Sequence, residues 1–158
     1  MKEVQYTFTT KLGNMIAVHD GEYLYSLDFT DEAIYSTDEK NYRKLQELIF
    51  KEVHLFLEGK VKVFSIPIKP NGTKFQQRVW KNLLKINYGT TKTYGQIAKE
   101  LFGKNYARAV AGAVGRNPLI FIVPCHRVVG ANSLGGFSCG LDKKRFLLQL
   151  EMQGLTVH

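Results

Sequence analysis

The sequence predicts two unlike halves: an α/β N-terminal domain (antiparallel sheet plus helix) over residues 1–68 and a mostly α C-terminal domain with a helix-turn-helix over residues 69–158. Strand-like runs are confined to the first half, and helical periodicity dominates the second. The charge balance also changes sign between them. Residues 1–66 carry 8 Lys or Arg against 11 Asp or Glu, while residues 67–158 carry 14 against only Glu100, Asp142 and Glu151. The chain of 158 residues has a net charge of +8, long enough to bury a real core. A basic half beside an acidic one points to a polyanion partner for the second half alone.

The strand-like runs are residues 4–9, 15–19 and 23–29. Turn signals at Leu12-Gly13-Asn14 and Asp20-Gly21-Glu22 separate them, so they read as an antiparallel meander. Residues 41–57 then place Leu45, Leu48, Ile49, Val53, Phe56 and Leu57 at helical spacing, and Glu58-Gly59-Lys60 ends that helix. A strand-like stretch, 61–68, and the turn Lys69-Pro70-Asn71-Gly72 mark the domain junction. In the second half Thr73 is the expected N-cap of a helix carrying Phe75, Val79, Leu83 and Leu84, and Thr93 that of a helix through Leu101. A turn at Gly103-Lys104-Asn105 leads to a helix over 106–115. Two short helices joined by a glycine-containing turn match the helix-turn-helix description. A last helix, 142–153, places Phe146, Leu147 and Leu150 on one face.

Several classes are excluded at this level. The opening Met1-Lys2-Glu3-Val4-Gln5 lacks the apolar core of a signal peptide, and no apolar run reaches the length of a membrane span. The only cysteines are Cys125 and Cys139, giving neither a disulfide framework nor a CxxC pattern. A soluble, intracellular (cytoplasmic) protein with reduced thiols is expected, nuclear if the source is eukaryotic, with no membrane association. His19 and His54 make a poor metal site, so no zinc is expected.

The most informative run is Pro124-Cys125-His126-Arg127-Val128, directly after the apolar residues 119–123, which read as a buried strand. A thiolate is a strong nucleophile when a base or positive field lowers its pKa. A buried cysteine that merely packs is the bland alternative, but His126 and Arg127 would then both have to escape the same core. Neighbouring side chains on an extended segment point to opposite faces. Cys125 and His126 are therefore not expected to bond directly, and activation should need a relay through water and a third group.

This pentad resembles the active-site signature of the O6-alkylguanine-DNA alkyltransferases, the methylated-DNA–protein-cysteine methyltransferases. The surrounding motifs are similar as well: Thr73, Phe75-Gln76, Val79-Trp80 and Leu83; Tyr88-Gly89, Thr93-Tyr94 and Ile97-Ala98; Arg108-Ala109-Val110 and Asn117-Pro118; Leu134-Gly135-Gly136-Phe137; and Lys144, Leu147-Leu148 and Glu151. The similarity is strong over residues 67–153, and the first sixty-odd residues match only in length and general pattern. It implies an α/β N-terminal domain, a winged-helix-like C-terminal domain housing the cysteine, and repair of double-stranded DNA containing O6-alkylguanine by base flipping. By resemblance, Tyr94 rotates the phosphate at the flipped site and Arg108 fills the vacated stack, with Thr93, Ala107 and Arg127 also on the DNA. The helix over 106–115, rich in small residues, would enter the minor groove.

The chemistry implied is an SN2 displacement by Cys125 of the alkyl carbon. Glu151 orients His126, which acts through water on the thiol, and Asn117 braces the cysteine turn. Carbonyls near Val123 and Val128, with Ser138, would read the guanine edge, and Phe137 and Cys139 would line the pocket. The product is a thioether with no route to cleavage, so each molecule should react once. No cofactor is expected, because damaged DNA is itself the alkyl donor. No protein partner is implied, and a monomer is expected.

Three departures stand out. Cys139 occupies a usual glycine position, where a side chain projecting into the alkyl pocket would narrow it. Phe137 stands where tyrosine is common, and Tyr106 is bulkier than its usual counterpart. Two rival readings remain at this stage. A non-catalytic alkyltransferase-like lesion-binding protein would lack the reactive cysteine. A cysteine hydrolase using Cys125 and His126 would leave the basic half unexplained.

Overall fold

A computed structural model describes residues 2–34, 40–103 and 105–156. Strands β1 (Val4–Thr10), β2 (Gly13–His19) and β3 (Leu24–Phe29) form an antiparallel meander in that order. The first hairpin is fixed by Thr10, whose hydroxyl donates to Gly13 O at 2.8 Å and accepts from Leu12 N at 3.2 Å. At the second, the Asp20 carboxylate accepts from the backbone N–H of Glu22 and Tyr23. Helix α1 (Lys40–Leu57) lies against this sheet and buries Leu45, Ile49, Val53, Phe56 and Leu57 at the spacing of one helical face.

The stretch 61–68, expected as a strand, is one only at its last residue. Ile68 makes an isolated parallel bridge to Leu24, whose N–H donates to Pro67 O and whose O accepts from Lys69 N. Val63 is 82% exposed, and Pro67 has no N–H to give a ladder. These bonds carry the first compact unit past Ile68, so that it comprises Met1–Asn71 and the second Gly72–His158.

The second unit is built on helices α2 (Lys74–Leu83), α3 (Tyr94–Phe102), α4 (Ala107–Gly115) and α5 (Leu141–Thr156). Short strands β4 (Lys92–Thr93) and β5 (Val128–Val129) pair in parallel beside them. Thr73 and Thr93 each form a complete capping box, with Gln76 and Gln96 returning the bond. Gly103 ends α3 in the left-handed region at φ 64°, which a glycine adopts without penalty. Of the expected turn Gly103-Lys104-Asn105, Lys104 lies outside the described residues. Trp80 of α2 donates its indole N–H to Ala113 O of α4 at 2.9 Å, locking the two helices.

Helix α5 departs from expectation in the face it buries. The inward line is Lys144, Leu147 and Glu151, whereas Phe146 and Leu150 are only partly covered. Two charged side chains in the buried stripe hid it from a reading based on hydrophobicity. Among the described residues no helix is long and apolar enough to cross a membrane.

Thr73→Ala should destabilise the second unit by about 1 kcal/mol, because Gln76 N loses its acceptor. Urea unfolding of the variant against the parent measures this directly.

Candidate active site

The segment before the nucleophile is buried but is not a strand. Ile122 N donates to Ile120 O and Val123 N to Leu119 O, which coils residues 119–123 into tight turns. Phe121 sits there at φ 70°, a left-handed conformation unusual for a bulky residue. Asn117 holds this shape. Its amide N–H donates to Val123 O at 2.7 Å and its carbonyl accepts from Leu119 N at 2.9 Å. Cys125, His126 and Arg127 then form a 3-10 turn rather than an extended run. The expected alternation of faces therefore does not apply, yet the side chains still diverge. Cys125 faces a cavity, while His126 is fully buried and turns toward α5.

Glu151 is the centre of the polar network. Its Oε2 lies 2.6 Å from His126 Nε2 and 2.9 Å from Arg127 Nη2, and its Oε1 accepts from Arg127 Nε at 2.8 Å and Gly89 N at 3.0 Å. Burial alone would raise its pKa, but the hydrogen bonds from His126, Arg127 and Gly89 overcome this and hold it at about 2. An ionised carboxylate only accepts, so His126 Nε2 carries the proton and Nδ1 is left as the basic atom. Burial pushes the His126 pKa down, and the Arg127 and Lys144 charges push the same way against the pull of Glu151. His126 is thus a neutral imidazole oriented by a carboxylate.

Arg127 was expected on DNA. The structure instead buries it: beyond its fork onto Glu151, Nη1 donates to Ile86 O at 2.8 Å, and the guanidinium stacks 5.5 Å from the Tyr88 ring centroid. It braces the network from inside and is not available to phosphates.

Lys144 enters the sequence reading only as part of a motif. It is fully buried, and its ammonium donates to Val128 O at 2.5 Å and Gly136 O at 2.8 Å, tying the two sides of the loop over the cavity. Burial lowers its pKa to about 8, with the Cys125 thiol acting in the opposite sense. Three consecutive basic residues, Lys143, Lys144 and Arg145, concealed which one turns inward.

The cavity has a volume of about 430 Å³ and is lined by Tyr94, Ala111, Val114, Gly115, Cys125, Gly136, Phe137 and Ser138. Tyr94 closes one wall, its hydroxyl accepting from Gly136 N at 3.3 Å, and burial raises its pKa. Gly135 permits this approach. It sits at φ 76°, and a Cβ there would lie 2.9 Å from the Tyr94 hydroxyl. Phe137 and Ser138 line the cavity as expected, but Val123, Val128 and Cys139 do not. Val123 O already accepts from both Asn117 and Cys125 N, and Val128 O from Lys144. The two lone pairs of Val123 O are therefore used, which removes it as a reader of a base edge. Cys139 lies beside the Ser138 hydroxyl at 3.8 Å, outside the lining, so it does not narrow the space.

Helix α4 buries Val110, Ala113 and Val114 and turns the opposite face outward. Ala111 and Gly115 of that face line the cavity, and Arg108 lies one turn earlier on it, exposed. A Cβ at Gly112 or Gly115 would meet nothing within 4 Å, so the face is open as well as smooth. Ala107 is half-buried at its start, and the Thr93 hydroxyl is engaged in capping α3. In the first unit, the His19 ring accepts from Gly21 N, and both His54 nitrogens lie against the carbonyls of Phe50 and Thr9.

Residues 74–153 match the sequence profile of the 6-O-methylguanine DNA methyltransferase DNA-binding domain. A methylated-DNA–protein-cysteine methyltransferase of Haemophilus influenzae is 42% identical, over 96% of this chain and 88% of that protein. Among solved structures, Mycobacterium tuberculosis OGT in complex with DNA is similar at a TM-score of 0.84 and 34% identity, covering 95% of this chain and 93% of that one. An O6-methylguanine DNA methyltransferase from Methanococcus jannaschii aligns at a TM-score of 0.67 and 35% identity, over 92% of each chain. With the profile spanning half of the sequence and a relative alike along nearly all of it, the chain belongs to the methylated-DNA–protein-cysteine methyltransferase family.

Proposed function

We propose that this protein repairs double-stranded DNA by flipping O6-alkylguanine, chiefly O6-methylguanine, into the Cys125 cavity and transferring the alkyl group irreversibly to that thiol. The carrying observation is the placement of Cys125 in a cavity that opens beside the exposed face of α4, with the Glu151–His126 pair behind it. Helices α3 and α4 act as the helix-turn-helix, and Arg108 occupies the space left by the flipped base. The small residues of α4 suit close approach to the minor groove without reading sequence. The protein works as a monomer.

In the reaction, neutral His126 takes the thiol proton at Nδ1 through a water, and Glu151 stabilises the imidazolium that results. The thiolate attacks the alkyl carbon, the S–C bond forms as the C–O6 bond breaks, and guanine leaves with the electron pair. Tyr94 and Ser138 are the hydroxyl donors lining the cavity that can protonate the departing base, and the proton taken up by His126 then returns through water to the donor. Lys144 lies close enough for its charge to favour the thiolate. A lesion-binding role without transfer is disfavoured by the nucleophile itself.

Incubation with an oligonucleotide containing O6-methylguanine should add one methylene unit of mass to Cys125, once per molecule. Cys125→Ser should bind DNA but gain no mass. Repeated turnover, or transfer by the Ser variant, would overturn the proposal.

Arg108→Ala should slow repair of duplex DNA on the order of tenfold, equivalent to roughly 1.4 kcal/mol of lost support for the flipped state. Reaction with free O6-alkylguanine base should change little, since no pair is opened. Equal losses on both substrates would assign Arg108 to the fold.

Because His126 is held below its ordinary value of 6.5, its basic form persists into mildly acidic solution. The rate of transfer should stay flat as pH falls through 6.5 and decline only at more acidic values. A decline centred above 6.5 in a stopped-flow pH series would refute this role.

A further inference from the structure

Helix α2 carries a basic stripe that the site above does not use. Lys74, Arg78, Lys81 and the following Lys85 are all exposed and recur at intervals of four, three and four residues. At 100° per residue the three within the helix, Lys74, Arg78 and Lys81, fall on one narrow strip, opposite the buried Val79, Trp80 and Leu83, and Lys85 follows in the turn that ends it. No acidic side chain of the second unit neutralises its first three members. Glu100 is bonded to Lys92 and Asn82 and also lies near Lys85, Asp142 pairs with Arg145, and Glu151 is buried on His126 and Arg127.

The middle cation is held in place. The Arg78 guanidinium lies 4.8 Å from the Phe102 ring centroid and donates through Nη2 to Leu101 O at 2.6 Å. Phe102 in turn stacks on Phe75 at 5.2 Å and meets Tyr106 edge-on at 5.5 Å. Tyr106 is the N-cap residue of α4, which has no side-chain capping bond. An aromatic and guanidinium ladder therefore runs from the stripe to the start of the helix bearing Arg108. A long arginine fixed in this way loses little rotamer freedom on meeting an anion.

We propose that Lys74, Arg78 and Lys81 form a second contact surface for duplex DNA, gripping the sugar–phosphate backbone away from the flipped nucleotide. This rests on the reading of the protein as a DNA repair methyltransferase. Lys74 to Lys81 spans about 10 Å of helix axis, roughly three base-pair steps. The contact positions the duplex without reading sequence, as repair of scattered lesions requires.

The test replaces two charges without touching the cavity. Lys74→Gln/Lys81→Gln is compared with the parent and with Lys44→Gln/Lys51→Gln, which removes two exposed lysines at the same spacing from α1 in the first unit. Binding to a duplex containing O6-methylguanine is followed over a range of salt, and each protein is also reacted with free O6-benzylguanine. The α2 pair should make the plot of log affinity against log salt shallower by about 1.8, two contacts at roughly 0.9 each. The α1 pair should leave the slope at the parent value, and all three should react with free base at the same rate.

An unchanged slope in the α2 variant, or equal change in both variants, would overturn the proposal by reducing the effect to net charge. Loss of free-base reactivity in the α2 variant alone would also overturn it, because the stripe would then serve the fold. Selective loss of binding to polyglutamate with duplex binding intact would assign the surface to an acidic protein instead. Failure of the parent to take up a methyl group from the lesion-bearing duplex would strike the repair reading itself, a different outcome from any of these.

Discussion

The Glu151 carboxylate is the point on which the second unit depends. Its four hydrogen bonds join α5 to the 3-10 turn through His126 and Arg127, and to the loop before β4 through Gly89. Arg127 extends the same cluster to Ile86 O. A buried ion is costly to desolvate, and it is tolerated only when most of its lone pairs are met. Here each oxygen has two donors, one set charged and bidentate, which gives direction as well as energy. Packing Leu or Met in place of this cluster would give comparable stability but no fixed orientation for the imidazole. The cluster therefore serves geometry first.

The surroundings of Cys125 follow the same logic of imposed shape. The turns over residues 119–123 force Phe121 into a left-handed conformation, and Asn117 supplies the bonds that hold it. Such strain persists only where neighbours over-determine it, and it is common at sites that must present one atom accurately. On the other side of the cavity, Lys144 fastens Val128 O and Gly136 O, so the loop bearing Phe137 and Ser138 has a fixed base. A nucleophile used once need not be regenerated. What the enclosure does require is a rigid thiol and a ready proton acceptor.

Legibility in the sequence tracked how local the physics was. The strands of the meander, both threonine caps and the glycine that ends α3 are set by residues within a few positions, and they were readable as such. The stretch 119–123 was misread because five apolar residues fit a buried strand and a buried coil equally well, and the choice is made by Asn117 reaching across to Val123 O. The stretch 61–68 failed for a related reason, since Leu24 bonds only around Pro67 and Lys69. Motif resemblance found Cys125, His126 and Glu151, but it could not show that Arg127 turns inward, that Lys144 is the buried member of a basic triplet, or that Cys139 lies outside the cavity. Each of those facts depends on contacts between residues far apart in the chain.

Charge divides the molecule as clearly as the backbone does. The first unit, residues 1–71, holds nine basic and eleven acidic side chains, and residues 72–158 hold thirteen and three. The three acids of the second unit each have a basic partner, Glu100 with Lys92, Asp142 with Arg145 and Glu151 with His126 and Arg127, which leaves most of its basic side chains without an acidic one. Attraction of this kind is indifferent to base sequence and weakens with salt, which suits a protein that must sample long stretches of intact duplex. Selectivity then has to arise elsewhere, in the cost of extruding a base and in the shape of the cavity that receives it. The outward face of α4 is open and built of small residues, with Arg108 its one long side chain, so it offers little that could choose among sequences. On the proposed function, affinity and discrimination fall to different residues, and that separation lets one cysteine serve every lesion the cavity admits.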